Sequence, residues 1–150
     1  MKRIALLLVF CSLLSLLSCS YKIDAKDTVR EFCSLYPIDT MVYSSFAKSY
    51  EDGYIDSEML FTLYGTDDLP TEKFALALYG KVDTVREIGV FIIENGNDTI
   101  MLTELIRKRI DFLSSSVDGE GFIKKYKGAL VYAFVDDADY ARRIFDGIIE

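Results

Sequence analysis

The chain has 150 residues, 51% of them hydrophobic and 27% charged, which is enough for one folded domain and too apolar for a disordered one. Its 24 acidic and 17 basic side chains leave a formal net charge of −7, a balance that opposes nucleic acid phosphates and anionic lipid headgroups as partners. Histidine is absent, which removes His-based nucleophile activation, His metal ligation and the usual neutral-pH base.

The first element is a leader. Lys2 and Arg3 precede an uncharged apolar run, Ile4 to Leu17, and then Ser18-Cys19. A short cationic end and a run shorter than the roughly 20 residues of a membrane span make an export signal. Leu16-Leu17-Ser18-Cys19 looks like a bacterial lipobox, the site where lipoproteins are cut just before a cysteine that carries lipid. The expected division is therefore a signal peptide over 1–18, a short tether over 19–25 and a single domain over 26–150. Cleavage between Ser18 and Cys19 is preferred over an uncleaved anchor or secretion without lipid, because Cys19 sits where the length of the run and the small Ser18 require it.

Processing removes Lys2 and Arg3 and no acid, so the net charge moves from −7 to −9. Membrane attachment must then come from acyl chains on Cys19. The tether reaches roughly 20 Å when fully extended, and it lacks a Gly/Ser or Pro-rich stalk, so the domain is expected close to the extracytoplasmic face of the cell membrane. Of the three cysteines, Cys11 leaves with the signal and Cys19 takes lipid. Cys33 stands at helical spacing with Val29, Phe32 and Tyr36 and is expected as a buried thiol; a Cys19–Cys33 disulfide is open only if no lipid is attached.

The first helix of the domain is expected from Lys26 to Tyr36, ended by Pro37. Residues 38–55 fit a helix stripe through Val42, Phe46 and Tyr50 and fit an irregular cover equally well. Ser57 to Tyr64 reads as a short helix, with Asp56 as N-cap and Gly65 past its end. After Pro70 the period falls towards 2. Phe74 to Tyr79 reads as a strand, and Glu87 to Glu94 as a more deeply buried one. Asn95-Gly-Asn-Asp98 caps the longest helix, about Thr99 to Ser115, whose core stripe is Leu102, Ile106, Ile110, Leu113 and Val117, with Arg107, Lys108 and Arg109 outside. Phe122 to Tyr126 and Ala129 to Val135 form a hairpin turning at Lys127-Gly128. Asp136 is expected to cap a last helix from Asp137 to Ile149, with Ala141, Ile144 and Ile148 inward. The sum is a two-layer α+β domain: a small, mostly antiparallel sheet in the order strand-strand-helix-strand-strand-helix, helices on one face, preceded by N-terminal helices.

The lipobox at Cys19, Leu63-Tyr-Gly65 closing a short helix, Glu87-Ile-Gly-Val-Phe91, the long helix Thr99 to Ser115 and Gly128-Ala-Leu-Val-Tyr-Ala-Phe-Val-Asp-Asp137 together resemble bacterial lipoproteins that carry domain of unknown function 4358 (DUF4358). The resemblance spans about Ser57 to Ile149. It implies the fold and the lipid-anchored location; it brings no activity and no catalytic or binding residues.

The remaining chemistry is sparse. There is no Cys-x-x-Cys pair, glycine-rich phosphate loop or Gly-x-Ser-x-Gly elbow, and Gly119-Glu-Gly121 reads as a helix breaker. Asn97-Asp98-Thr99 fits the glycosylation pattern, but a turn cap is preferred. Asp67-Asp68 and Asp136-Asp137-Asp139 are the acidic clusters that could hold a hard cation or act as an acid/base pair. The first reads as a solvated turn and the second as helix capping. No catalytic residue, cofactor or metal ligand set is expected.

Tyrosines crowd the least regular segment, and Tyr43, Tyr50 and Tyr54 are the candidate interaction patch, weighed against a simple role in covering the sheet. The favoured function is a membrane-anchored, non-catalytic domain that binds a membrane protein or envelope component and no nucleic acid. The alternatives are a small-ligand or cation-binding accessory of a transport system and a carboxylate-dependent wall hydrolase, which needs two acids facing across a cleft.

Overall fold

A computed structural model describes residues 23–81 and 84–150. Helix α1 spans Ala25–Leu35 and starts where the Asp24 carboxylate accepts the Asp27 amide at 2.9 Å. It ends just before Pro37, as a proline requires of its predecessor. Residues 38–55 take the irregular course, with one three-residue strand, β1 (Val42–Ser44), in place of a helix stripe.

Helix α2 spans Ser57–Tyr64; Asp56 caps it by accepting from Met59 N at 2.8 Å, and Gly65 closes it with φ +74°. Strands β2 (Phe74–Lys81) and β3 (Thr84–Ile92) follow. Both are longer than their apolar cores suggest, because ladder pairing from Phe74↔Phe91 to Lys81↔Thr84 continues into polar residues.

Helix α3 spans Gly96–Ser116. It begins earlier than expected, after Asn95, so Asp98 lies in its first turn. Strands β4 (Glu120–Tyr126) and β5 (Ala129–Val135) form the hairpin, with Gly128 at φ +83°. The last helix, α4 (Ala138–Ile149), is capped by Asp137, which accepts from Tyr140 N at 2.8 Å. The expected cap was Asp136; that carboxylate instead pairs with Arg86.

The five strands form one open, fully antiparallel sheet in the order β1-β2-β3-β5-β4, and the domain is α+β with the expected element order. The helices divide two to each face, so the two later helices, α3 and α4, which were expected together on one face, lie on opposite ones. Helices α1 and α4 pack on the face that carries Ala75, Ala77, Ile88, Val90, Val131 and Ala133. Helices α2 and α3 pack on the alternate residues, Leu76, Phe91, Leu130 and Tyr132. The cause is visible in β5, where all seven residues are buried. A central strand that is apolar on both sides needs cover on both.

Within the first face Phe32 is fully buried and stacks on Phe145 with ring centroids 4.4 Å apart, joining α1 to α4. The inward set of α4 is Ala138, Ala141, Ile144 and Phe145, with Ile148 half-buried at the edge.

Candidate functional site

Ser18 and Cys19, the expected cleavage and lipidation positions, lie outside the described residues. Among the described residues no helix is long and apolar enough to cross a membrane. Of the three patch tyrosines, Tyr50 is 78% exposed and Tyr54 is exposed beside it in the irregular segment. Tyr43 is half-buried and packs against the α2–α3 face, so it belongs to the core boundary more than to the surface. Met41 and Phe46 are exposed in the same segment and were not among the predicted patch residues. This stretch borders β1, an edge strand whose outer side is touched by Gly53 and Tyr54 through Ser44.

The acidic clusters have local work. Asp137 caps α4, Asp136 pairs with Arg86, and Asp139 receives Arg142 at 2.8 Å. Asp68 lines an open depression of about 360 Å³ with Glu72, Glu94 and Asp98, where Lys73 pairs with Glu94 at 2.5 Å. No group of three or more His, Cys, Asp or Glu among the described residues could hold a metal ion. Cys33 is partly buried against the α1–α4 face, and burial pushes its thiol up to about 11.

The notable polar centre is one that sequence reasoning missed. Glu87, on β3, is 1% exposed and faces α3. Arg109 meets it edge-on: Nε donates to both carboxylate oxygens at 3.1 Å, and Nη2 donates to Oε2 at 2.7 Å. The Tyr132 hydroxyl donates to Glu87 Oε1 at 2.6 Å, and the Tyr64 hydroxyl stands 2.8 Å from that of Tyr132. Because Tyr132 spends its proton on Glu87, Tyr64 is the donor in that last contact. A directed chain therefore runs from α2 through β5 to β3 and is closed by a cation from α3.

Local sequence explains each position. Gly89 sits opposite Tyr132, and a Cβ at 89 would overlap that ring, so the glycine makes the room that aims the hydroxyl at Glu87. Arg109 was expected outside with Arg107 and Lys108; it is instead 14% exposed. It falls at helical spacing with Leu102, Ile106 and Leu113, the buried residues of α3, and that spacing was the available signal. Ile110, expected on the core stripe, is half-buried against Gly121 of β4.

Electrostatically the centre is closed. Burial first, then the Glu87 charge, holds the Tyr132 and Tyr64 hydroxyls protonated well above the usual phenol range. Burial works against the Arg109 charge, but hydrogen bonding and attraction from Glu87 outweigh it and raise the guanidinium further. With Arg109 bonded to Glu87 through two nitrogens and Tyr132 donating to the same carboxylate, the arrangement is a fixed ion pair. A small cavity of about 210 Å³ opens above the pair, lined by Thr62, Leu63 and Tyr64 of α2 and by Leu105, Lys108, Arg109 and Phe112 of α3.

Comparison with protein-family models, curated proteins and solved structures finds no match to this chain.

Proposed function

We propose that the protein is a lipid-anchored, extracytoplasmic domain that binds a membrane protein or another envelope component without catalysing a reaction. The observation that carries this reading is the group of outward apolar side chains in the irregular segment 41–54: Met41, Phe46, Tyr50 and Tyr54. Large aromatic groups on an irregular surface segment supply contact area together with a hydrogen-bonding tip, the chemistry enriched where proteins meet. The lipobox at Cys19 supports the location, and the resemblance to lipoproteins carrying domain of unknown function 4358 belongs to the same proposal. With so short a tether, a partner would lie in or near the membrane surface.

The test is site-specific photocrosslinking in intact membranes. A photoreactive residue at Tyr50 should give a discrete adduct, and Phe46→Ser with Tyr54→Ser should abolish it without changing the thermal midpoint. The same residue at Lys125, exposed on β4 at the opposite sheet edge, should give none. Equal adducts at both positions, or none at either, would reject the patch. Tyr43 is left intact, because its half-buried ring supports the fold. The anchor is read separately, from the mass of the N-terminal peptide beside a Cys19→Ala control. A start at Cys19 with added acyl mass is expected.

A further inference from the structure

We infer that the cavity between α2 and α3 is a binding site for a small monocarboxylate with an apolar body, held end-on by Arg109 and Lys108. Arginine carries five N–H donors in a fixed plane. Glu87 takes the Nε edge together with one Nη2 proton, leaving the outer edge formed by Nη1 and Nη2. Among the described residues Nη1 makes no hydrogen bond and is not sealed from solvent. That outer edge is the second fork with which a guanidinium accepts a carboxylate by two parallel bonds. Glu87 thus does more than neutralise Arg109: it pins the plane of the guanidinium, so little rotamer freedom is lost when a ligand arrives.

Charge and shape select the class. Glu87 already balances Arg109, so the attraction for an anion comes from Lys108, which makes no ion pair among the described residues. Part of the wall is apolar. Leu63 and Leu105 line the cavity, and the Phe112 ring lies 5.7 Å from the Arg109 guanidinium while remaining 60% exposed. An exposed phenyl beside a fixed cation offers a face to a flat or short apolar group. A volume of about 210 Å³ is below the roughly 300–1,000 Å³ of drug-sized sites. The occupant is therefore one ring or a short chain bearing one carboxylate. This site is separate from the segment 41–54 and does not depend on that reading.

Benzoate is the probe and benzamide its uncharged control, titrated into the full-length protein in detergent micelles with the arginine Nε–H and phenylalanine ring signals observed by NMR. Saturable shifts of the Arg109 Nε–H and Phe112 signals are expected with benzoate, with Kd on the order of 1 mM. Benzamide should leave the Arg109 signal unmoved. Lys108→Gln, an exposed substitution that leaves the Glu87 pair untouched, should weaken benzoate by about three- to fivefold. No saturable shift at Arg109, an equal response to benzamide, or unchanged affinity in Lys108→Gln would each overturn the inference.

Discussion

The two faces of the sheet are built on different principles. Under α1 and α4 the core is almost wholly apolar: Val29, Phe32, Val90, Val131 and Phe145 fill it, and Phe32 on Phe145 is its centre. Under α2 and α3 an equally buried layer encloses Glu87, Arg109, Tyr132 and Tyr64. Apolar packing is tolerant of detail, whereas a buried ion pair demands full satisfaction. The first face supplies stability by area; the second also specifies how α2 and α3 sit on the strands.

The sharpest way to break this comparison is to leave Glu87 alone in the core. Arg109→Met should lower unfolding free energy by about 3–5 kcal/mol, read by urea denaturation. Adding Glu87→Leu should recover most of that loss, because an apolar pair needs no mutual charge. If the double variant is as unstable as Arg109→Met, the pair contributes mainly through packing and the contrast between the faces disappears.

On the opposite face the test is dryness. With its thiol pushed from 9.0 to about 11, Cys33 at pH 8 should react with a disulfide reagent about 100-fold more slowly than an unburied thiol. The native state holds the proton above the unfolded thiol's pKa, so this stabilisation is complete below pH 9.0 and is lost as pH rises towards about 11. Stability that is flat across that window would show that water reaches Cys33.

A smaller effect sharpens the polar side. Tyr132→Phe removes one donor to Glu87 and leaves Arg109 in place, with an expected cost of about 1–3 kcal/mol. A thermal midpoint equal to that of the parent would mean that the tyrosine chain contributes nothing to the centre.

The smallest effect belongs to the rim. On the outer side of the α4–β4 contact, hydrogen bonds from Lys124 and then Tyr126 hold Asp146 below the usual carboxylate range. A depressed acid stabilises above its unfolded pKa and loses that contribution as pH falls through the folded one. Asp146 and Lys124 are each about one-third exposed, so Asp146→Asn should cost under about 1 kcal/mol at pH 7. The difference from the parent should begin to shrink as pH falls to about 3.8 and disappear only once pH has passed below the depressed folded value. A constant difference across pH would assign the loss to shape, not charge.

Much of the architecture was legible because its signals are local. Asp56 and Gly65 bracket α2 where a cap and a left-handed residue are chemically required, and Lys127-Gly128 turns the last hairpin for the same reason. The centre was not legible by those means. Glu87 read as the polar start of an apolar strand, and Arg109 as part of a solvated run of cations. Their partnership joins β3 to α3 across the sheet interface, and nothing in either segment names the other. The cap of α4 was misplaced by one residue because Asp136 and Asp137 are chemically equal; Arg86, on β3, draws Asp136 away.

By itself the sequence determined the α+β class, the order of elements after Pro70 and the last antiparallel hairpin, since periodicity, caps and turn residues act within a few positions of one another. Tertiary structure alone decided that the helices cover both faces, that Arg109 turns inward to Glu87, and that Tyr43 packs while Tyr50 stands out. Those outcomes depend on which surfaces meet, and burial belongs to the assembled layers, not to any single segment.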